Sequence, residues 1–390
     1  MILTMQRRIF LQGTLAATIG VQRISAAQST AATIKVQERQ VISQQEAHYH
    51  GWPTLAQRKN GQLVLVVSGG RESHVCPFGR VELMRSHDQG ATWTWPETLL
   101  DGPLDDRDAG IVETSKGTLL ATTFSSLAYV PILEKALKMR PGSTGAWDAA
   151  RLARWQGAHE RLSDQQRQQA LGVWMTRSTD GGVTWSGRYR CRVNSPHGPI
   201  QLSDGRLLYA GKGLWTDSTN VGVCVSNDDG VSWEWLAKIQ PREGDSHQQY
   251  HELHAVEASR NRIIVHIRNH NAKSAGETLQ SESDDGGRTW SRPHTIGVWG
   301  LPSHLLRLQD GRLMMSYGYR RKPYGNQVRL SKDEGRTWSA PLALSVDGAG
   351  HDLGYPSTVQ LTDESFVTVW YERLKSSPRA VLRQARWSLG

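Results

Sequence analysis

The stretch Ser283-Asp284-Asp285-Gly286-Gly287-Arg288-Thr289-Trp290 contains a pattern that occurs five times along the chain. The pattern is Ser-x-Asp-x-Gly-x-Thr/Ser-Trp, which we call the Asp-box motif. Its Asp suits a turn in which the carboxylate accepts hydrogen bonds from nearby backbone N–H groups, and its Gly supplies a positive φ. Its Trp offers a large apolar surface for packing between sheets. The motif therefore predicts a structural hairpin rather than a metal loop or a catalytic carboxylate. The copies span Ser86–Trp93, Ser178–Trp185, Ser226–Trp233, Ser283–Trp290 and Ser331–Trp338.

A second repeated element is a tight turn followed by an apolar strand, which is a hairpin signal. Five of its six copies precede an Asp-box motif, so each unit reads as four antiparallel strands. Such units of about 50 residues are typical of β-propeller blades. The sequence predicts an all-β fold, a six-bladed β-propeller of four-stranded antiparallel blades. The last unit has no Asp-box motif, and we expect an N-terminal strand to complete the ring; seven blades would need a further repeat. The turns begin at Asn60, Lys116, Asp204, Arg260, Asp310 and Asp363.

One interval between Asp-box motifs is longer than the others. Ser86 and Ser178 are 92 positions apart, whereas the later intervals are 48, 57 and 48. Residues 127–171 account for the excess. Their composition is helical, and Ser163 begins a segment that resembles a helix N-cap. We expect a small helical insertion between the second and third strands of blade two, on the face opposite the Asp-box motifs.

The first residues resemble an export signal. Arg7-Arg8 precede an apolar run from Leu11 to Val21, and Ser25-Ala26-Ala27 offers a small-residue cleavage site. We expect residues 1–27 to be a twin-arginine-type signal peptide, residues 28–45 a polar lead-in and residues 46–390 the propeller. The expected location is periplasmic or secreted.

Charge and cysteine content narrow the class of protein. The net charge is +9, which falls to +6 without the three arginines of the signal, and no Lys/Arg run suggests nucleic acid. No segment of the mature chain is long and apolar enough to span a membrane. Three widely spaced cysteines, Cys76, Cys191 and Cys224, predict buried thiols and no disulfide framework. We expect a monomer with no cofactor and no metal.

The strand order predicts where functional residues would gather. The first strand of each blade starts at the face opposite the Asp-box motifs, and the second strand returns to it, so these ends surround one mouth of the central channel. Charged and titratable residues recur at these positions, which a purely structural propeller does not need. They are His50, Arg71, Asp106, Arg107, Asp108, His197, Lys212, His251, Glu252, Arg268, His304, Arg320, Arg321, Asp352, Tyr355 and Glu372.

Three arginines, Arg71, Arg268 and Arg320, occupy equivalent ends of second strands, which favours a site for an anion. Arginine suits bidentate recognition of a carboxylate. Tyr355 and Glu252 belong to the same rim. A tyrosine beside a carboxylate can act as a nucleophile, because the carboxylate accepts its proton.

These residues resemble the sialidase (neuraminidase) superfamily with Asp-box (BNR) repeats, in its bacterial exported branch, over most of residues 48–385. The most specific stretches are Gly354-Tyr355-Pro356-Ser357, His251-Glu252-Leu253 and His266-Ile267-Arg268-Asn269. The resemblance implies that Tyr355 is the nucleophile and Glu252 its base partner. It also implies that Arg268 and Arg320 bind the substrate carboxylate.

Two departures from the family pattern concern blade one. Where the family has Phe-Arg-Ile-Pro, this chain has His50-Gly51-Trp52-Pro53, and we expect Arg71 to substitute for that arginine. The family's acid/base Asp has no counterpart in the stretch after Arg71. The candidates for this role are Asp108, Asp106, Glu72 and His74, of which we favour Asp108.

Several histidines lie near the predicted mouth, and His50, His197 and His304 are expected to contact substrate hydroxyls or to serve structure. Their spacing does not match a zincin-type metal site.

The sequence thus favours an exo-α-sialidase-like glycoside hydrolase that releases a terminal acidic sugar, sialic acid, from glycoconjugates with retention. One alternative is a glycosidase or lyase that acts on another acidic sugar or a uronic-acid polysaccharide. Another is a carbohydrate-binding propeller without catalysis. The partner in each case is a glycan.

Overall fold

The computed structural model describes residues 32–215 and 220–390, and its strands form six sheets. In chain order the strands of the first half are β1 Ile34–Val41, β2 Tyr49–Gln57, β3 Leu63–Arg71, β4 Arg80–Ser86, β5 Glu97–Leu100, β6 Asp105–Glu113, β7 Leu119–Ser126, β8 Val173–Ser178, β9 Tyr189–Arg190, β10 Ile200–Gln201, β11 Leu207–Lys212 and β12 Val221–Ser226. The second half contains β13 Glu234–Lys238, β14 Tyr250–Ser259, β15 Arg262–Asn269, β16 Glu277–Ser283, β17 His294–Trp299, β18 Ser303–Arg307, β19 Leu313–Tyr319, β20 Gly325–Ser331, β21 Leu342–Ala343, β22 Leu353–Gln360, β23 Phe366–Arg373 and β24 Ala380–Leu389.

Each sheet has four strands, and neighbouring strands run antiparallel. Blades one to five are β2–β5, β6–β9, β10–β13, β14–β17 and β18–β21, and the sixth sheet has the order β1-β24-β23-β22. The prediction of a six-bladed propeller is confirmed. The N-terminal strand β1 pairs with β24 and supplies the outer strand of blade six, so part of the predicted polar lead-in belongs to the propeller. The predicted signal at residues 1–27 lies outside the described residues.

The Asp-box motifs close the hairpins between the third and fourth strands. In the copy at Ser283, the Asp285 carboxylate accepts hydrogen bonds from the backbone N–H groups of Arg288 and Thr289, both at 2.9 Å, and from the Thr289 hydroxyl at 2.6 Å. The Ser283 hydroxyl donates to Asp285 at 2.8 Å and accepts from the N–H of Gly287 at 2.9 Å. The side chains of Ser283, Asp285 and Thr289 are therefore hydrogen-bonded within their own turn, as expected for a structural element.

The tryptophans of the motifs pack against neighbouring blades. Trp185 contacts the apolar cluster shared by blades one and two, and Trp290 contacts the one shared by blades three and four. Trp93 donates its indole N–H to Gln384 of blade six at 2.8 Å. Because burial of apolar surface drives the association of the sheets, these contacts hold each blade against the previous one.

The insertion in blade two lies between β7 and β8 as predicted. It consists of α1 Val130–Leu137, α2 Ala149–Glu160 and α3 Asp164–Ala170, and a 3₁₀ turn at His247–Gln249 is the other helical element that the structure describes. Ser163 caps α3 through a reciprocal capping box with Gln166. The insertion packs Leu133 and Trp155 on Cys76, in the loop between β3 and β4. None of the helices within residues 32–215 and 220–390 could cross a membrane.

The closed turn of the Asp-box motif leads to a stability prediction. Replacing Asp285 with Ala removes several hydrogen bonds from N–H and O–H groups, and we expect the free energy of unfolding to fall by about 1–2 kcal/mol. Chemical denaturation measures this change. Asp284→Ala is the matched control, because the Asp284 side chain is 74% exposed and contacts Arg262 at the surface. We expect that control to stay within about 0.5 kcal/mol of the parent protein, and equal effects of the two substitutions would contradict the assignment.

Candidate active site

Four first strands have an irregularity in their pairing near the same mouth of the channel. The register shifts lie between Gly51 and Thr54 in β2, Arg107 and Gly110 in β6, Tyr250 and Leu253 in β14, and Gly354 and Ser357 in β22. A bulge of this kind turns a side chain away from its regular direction. Three residues inside the bulges have left-handed backbones, with φ of +55° at Trp52, +51° at Asp108 and +53° at Tyr355. Strain in non-glycine residues is often concentrated at functional sites, so the bulged residues define the candidate site.

Tyr355, Glu252 and Arg268 form a hydrogen-bonded group at this mouth. The Tyr355 hydroxyl donates to Glu252 Oε1 at 2.6 Å. One N–H group, Arg268 Nη1, lies 2.9 Å from the same carboxylate oxygen and 3.0 Å from the Tyr355 oxygen. The second oxygen of Glu252 has no partner among the described residues. The structure thus brings together the nucleophile, the base and one of the arginines predicted from the sequence.

The surroundings of this group shift the pKa values of Glu252 and Tyr355 in opposite directions. Burial of Glu252 opposes ionisation, but the charge of Arg268 and the hydrogen bond from Tyr355 outweigh it, and the pKa of Glu252 is lowered. Burial and the nearby Glu252 charge raise the pKa of Tyr355 well above its usual value. At neutral pH the site therefore holds a carboxylate beside a neutral phenol, which is the state needed for proton transfer from the phenol to the carboxylate.

Arg320 lies over the ring of Tyr355. Its guanidinium carbon is 5.8 Å from the centre of the Tyr355 ring, and its Nε donates to the Leu353 carbonyl at 3.0 Å. That hydrogen bond fixes the side chain and leaves its two Nη groups without a protein acceptor within residues 32–215 and 220–390. Two N–H groups of one guanidinium are the arrangement that binds a carboxylate in a bidentate manner.

Arg71 has a different environment from that predicted. Its side chain is fully buried, and it binds both carboxylate oxygens of Asp105 at 2.6 and 3.0 Å. It also donates to the His74 carbonyl at 3.1 Å. A substrate carboxylate would have to break this buried ion pair, and the unpaired Asp105 would then be strongly destabilising. The expectation that Arg71 binds substrate conflicts with this geometry, and the side chain instead joins blade one to blade two.

Of the four candidates for the acid, Asp108 has the environment that the role requires. It lines a pocket of about 120 Å³ together with Glu252, Lys212 and His251. No residue that the structure describes donates a hydrogen bond to its carboxylate. Burial and the neighbouring charge of Glu252 raise the pKa of Asp108 to about 7, against the opposing charges of nearby arginines. A carboxyl group with this pKa is protonated below about pH 7. Burial raises the pKa of Asp106 to about 7 as well, so the open pocket and not the pKa distinguishes Asp108.

The other three candidates have structural partners. Asp106 is fully buried and accepts a hydrogen bond from the N–H of Gly102 at 2.6 Å. Glu72 holds the insertion, since its carboxylate binds Arg151 at 2.8 Å and the indole N–H of Trp155 at 3.1 Å. His74 binds Asp352 at 3.0 Å on the blade-six side of the mouth.

The histidines predicted to contact substrate are buried below the mouth. His50 is 2% exposed, His197 3% and His304 7%. His197, His254 and His304 come from three successive blades and have ring centres 4.7–5.3 Å apart. Of the two roles expected for His50, His197 and His304, contact with substrate hydroxyls and a structural role, this burial favours the structural one. Counting residues along a strand gives the level of each residue but not the depth of its side chain, so this burial was not predictable from the sequence.

The structure adds two residues to the site whose roles the sequence did not assign. Trp52 lies below the mouth with its ring centre 6.3 Å from that of Tyr355. Arg107 covers the Trp52 ring, with its guanidinium carbon 4.5 Å from the ring centre. The strand order predicts Arg107 at the mouth of the channel but assigns it no function. The signal that marks both is the bulge in the first strand, which is not visible in an apolar/polar pattern.

The three cysteines are free thiols; Cys76 and Cys224 are buried and Cys191 is half-buried. This agrees with the prediction of buried thiols for Cys76 and Cys224.

A family model for the BNR repeat-like domain matches residues 150–369, which is more than half of the chain. The chain belongs to the BNR repeat-like family. The resemblance to the sialidase superfamily drawn from the sequence is confirmed at this level.

Two relatives are named as sialidases. The chain is 27% identical to a sialidase from Micromonospora viridifaciens over 48% of its own length and 31% of the relative's. It is 24% identical to a sialidase from Bacteroides fragilis (strain YCH46) over 75% of its own length and 54% of that protein's. It therefore spans roughly a third to a half of these relatives.

Among solved structures, a protein of unknown function from Dyadobacter fermentans DSM 18053 is similar with a TM-score of 0.73 and 23% identity. The match covers 92% of this chain and 99% of that one. At this identity the similarity supports the fold alone.

The buried histidines lead to a prediction about pH. Burial lowers the pKa of His304 to about 3 and the pKa values of His197 and His254 well below the usual value. Neutral histidine thus stabilises the fold at pH above about 6.5, and this contribution is lost as the pH falls from there towards 3. We expect the free energy of unfolding to decrease over that window. His304→Asn should reduce the slope of this decrease, measured by denaturation at pH 7, 5 and 4, whereas the exposed His351→Asn should not.

Proposed function

We propose that this protein is a sialidase-like glycoside hydrolase that releases a terminal acidic sugar, sialic acid, from a glycan with retention of configuration. The observation that carries the proposal is the Tyr355–Glu252–Arg268 group, in which a neutral phenol donates a 2.6 Å hydrogen bond to an ionised carboxylate. Membership of the BNR repeat-like family and the two relatives named as sialidases support it. Glycosidases of this type depart from the usual pair of catalytic carboxylates by using a tyrosine.

Binding of the substrate carboxylate would fall to Arg268 and Arg320. Arg320 has two Nη groups free of protein acceptors, and its guanidinium faces the Tyr355 ring. Arg268 is in contact with both Tyr355 and Glu252. An anion bound to Arg268 would offset part of the positive charge that lowers the pKa of Glu252, and Glu252 would become a stronger base when substrate is present. A neutral phenol also avoids the repulsion that a carboxylate nucleophile would experience from an anionic substrate.

The first chemical step is attack of Tyr355 Oη on the anomeric carbon. The phenolic proton passes to Glu252 as the Oη–carbon bond forms and the glycosidic bond breaks, and Asp108 donates its proton to the departing oxygen. In the second step Asp108, now ionised, removes a proton from water as the water oxygen attacks the anomeric carbon. The Tyr355–carbon bond breaks, and the phenol regains its proton from Glu252. Two displacements at one carbon give retention.

The helical insertion supports a recessed site. It begins at the end of β7, at the mouth that contains Tyr355, and packs on the adjacent loop of blade one. Residues 127–171 would therefore form a wall beside the bound glycan.

Removal of the phenolic hydroxyl or of the base tests the central step. We expect Tyr355→Phe and Glu252→Gln each to lower kcat by about 10²–10⁴-fold, because proton transfer by a positioned group contributes on this order. Release of free sugar from fluorogenic sialosides and from sialylated glycoprotein measures the effect. Tyr317→Phe is the matched control, since Tyr317 is a buried tyrosine whose hydroxyl donates to Gln327 at 2.8 Å within blade five. Unchanged turnover in Tyr355→Phe would refute the assigned nucleophile.

Assays with other acidic sugars separate the alternatives that the sequence leaves open. An acidic polysaccharide that yields products with a new ultraviolet-absorbing double bond would indicate elimination by a lyase. New reducing ends without such absorbance would indicate hydrolysis of a different acidic sugar. Binding of a sugar acid without turnover, retained in the Tyr355→Phe/Glu252→Gln double variant, would indicate a binding propeller.

The assignment of Asp108 as the acid makes a prediction about pH dependence. Because burial raises its pKa to about 7, Asp108 is protonated below that pH, and kcat/KM should fall as the pH rises through about 7. Asp108→Asn should remove this limb of the profile. It should impair a substrate with a poor leaving group far more than an aryl glycoside, whose phenolate departs without protonation. Equal losses on both substrates would contradict a role in leaving-group protonation.

A further inference from the structure

His270 is a histidine at the mouth of the channel whose ring contacts Arg268. It follows the last residue of β15, and its Nε2 lies 2.9 Å from Arg268 Nε. Because the Nε of an arginine always carries a hydrogen, this contact is a hydrogen bond in which Nε2 of His270 is the acceptor. The ring is then the neutral tautomer that carries its proton on Nδ1.

This contact adds a second fixed point to the Arg268 guanidinium. Nη1 is held by Glu252 and by the Tyr355 oxygen, at 2.9 and 3.0 Å, and Nε is held by His270. Nη2 makes no hydrogen bond to a residue in the described ranges. Two of the three guanidinium nitrogens are thus held by side chains, and the third is left for a ligand.

The backbone that carries His270 is itself held by hydrogen bonds. Its N–H donates to the Gln249 carbonyl at 2.8 Å. The preceding residue, Asn269, is buried, and its amide group donates to the carbonyls of Lys273 and Ser274, both at 2.9 Å. The imidazole of His270 therefore extends from a turn whose backbone is fixed on both sides.

A second imidazole lies against the first. The ring centres of His251 and His270 are 4.4 Å apart, with an angle of 47° between the ring planes. His251 precedes Glu252 in β14 and lines the same pocket as Glu252 and Asp108. The ring of His270 thus lies between the guanidinium of Arg268 and a wall of the reaction pocket.

Most of the charges around His270 are positive. The charged and titratable groups that face it are Arg268 from β15, His251 and Glu252 from β14, Arg320 after β19 and Lys212 at the end of β11. Partial burial and the charge of Arg268 lower the pKa of His270, against the opposing charge of Glu252. A protonated ring would place Nε2–H against Arg268 Nε–H, and two donors form no hydrogen bond. Protonation would therefore break the contact and place two positive charges side by side.

We propose that His270 is a positioning residue for Arg268, which it holds through Nε2 in its neutral form and releases when it is protonated. The inference rests on the proposed function, because a released guanidinium would bind the carboxylate of an acidic sugar less tightly. The contact is present at pH above the lowered pKa of His270 and is lost as the pH falls through that pKa. Acid would then weaken sugar binding through a residue that need not touch the sugar.

The tautomer of His270 and its protonation can be measured without turnover. In the full chain labelled with ¹⁵N at histidine and arginine, we expect the His270 proton on Nδ1 at pH 7.5 and slow exchange of the Arg268 Nε–H with water. Both signals should change with one midpoint as the pH is lowered, and spectra of His270→Gln and Arg268→Lys assign them. A proton on Nε2 at pH 7.5, or an Arg268 signal that does not follow the titration of His270, would overturn the proposal.

Two substitutions separate the acceptor from the charge in a kinetic assay. His270→Gln retains an acceptor oxygen and cannot be protonated, whereas His270→Ala has no acceptor. We expect His270→Ala to raise KM for a sialoside by about 3–10-fold at pH 7.5, the equivalent of one hydrogen bond, with a smaller change in kcat. His270→Gln should stay within about twofold of the parent protein at pH 7.5 and should lack the rise in KM that the parent protein shows towards pH 4.

The matched control is His294→Gln. His294 is another exposed histidine of blade four, and its Nε2 contacts Glu282 at 2.8 Å, but it lies in the outer strand β17. We expect the KM of this variant to follow that of the parent protein at every pH.

The outcomes separate the role of His270 from the proposed function. Turnover with the same rise in KM at acid pH in His270→Gln and in the parent protein would overturn the role of His270 and leave the proposed function standing. A parent protein that turns over no acidic sugar would overturn the proposed function, and the spectra would then decide whether His270 holds and releases Arg268. Equal losses in His270→Gln and His270→Ala at pH 7.5, with equal losses of thermal stability, would assign His270 to the structure of its turn and would also overturn the proposal.

Discussion

The hydrogen bonds that the Asp-box aspartate accepts from its own turn are the constraint on which this propeller depends. They fix where each third strand ends, and the tryptophan that follows packs against the preceding blade. Because the motif recurs in five blades, each first strand begins at the same level around the channel. The motif contributes nothing to the chemistry directly. It positions the strands of five blades, and in the resulting ring Tyr355 contacts Glu252 across 103 positions of sequence.

At the mouth, the first strands depart from regular pairing, and the departures create the site. Trp52, Asp108 and Tyr355 each have a left-handed backbone within a bulge. The bulges turn these side chains away from the direction that regular pairing would give them. Strain of about 1–3 kcal/mol per residue is tolerated because the apolar interfaces below hold the strands in place.

The sequence was sufficient for the fold and for the central group of the site, and the reasons for the remainder are physical. Blade number, strand order and the insertion follow from turns and motifs that are local in sequence. The positions of Tyr355, Glu252 and Arg268 at the mouth follow from counting residues along strands whose ends are located by the turns and motifs. Arg71 could not be assigned correctly in this way, because its partner Asp105 lies on another blade and the pairing depends on the path of the intervening loop. The depth of His304 is likewise a property of the bulges and the channel, which the pattern of polar residues does not encode.

Charge balance connects these observations. At the mouth, Arg268 and Arg320 contact Tyr355, Glu252 has a lowered pKa, and the raised pKa of Asp108 keeps that group largely neutral below about pH 7. In the proposed function, the carboxylate of the substrate would bind to Arg268 and Arg320. Its arrival would weaken the hold of Arg268 on Glu252 and raise the basicity of the group that must accept the phenolic proton. If the proposed function holds, the positive charge that selects an anionic sugar would also keep Tyr355 unreactive until that sugar binds.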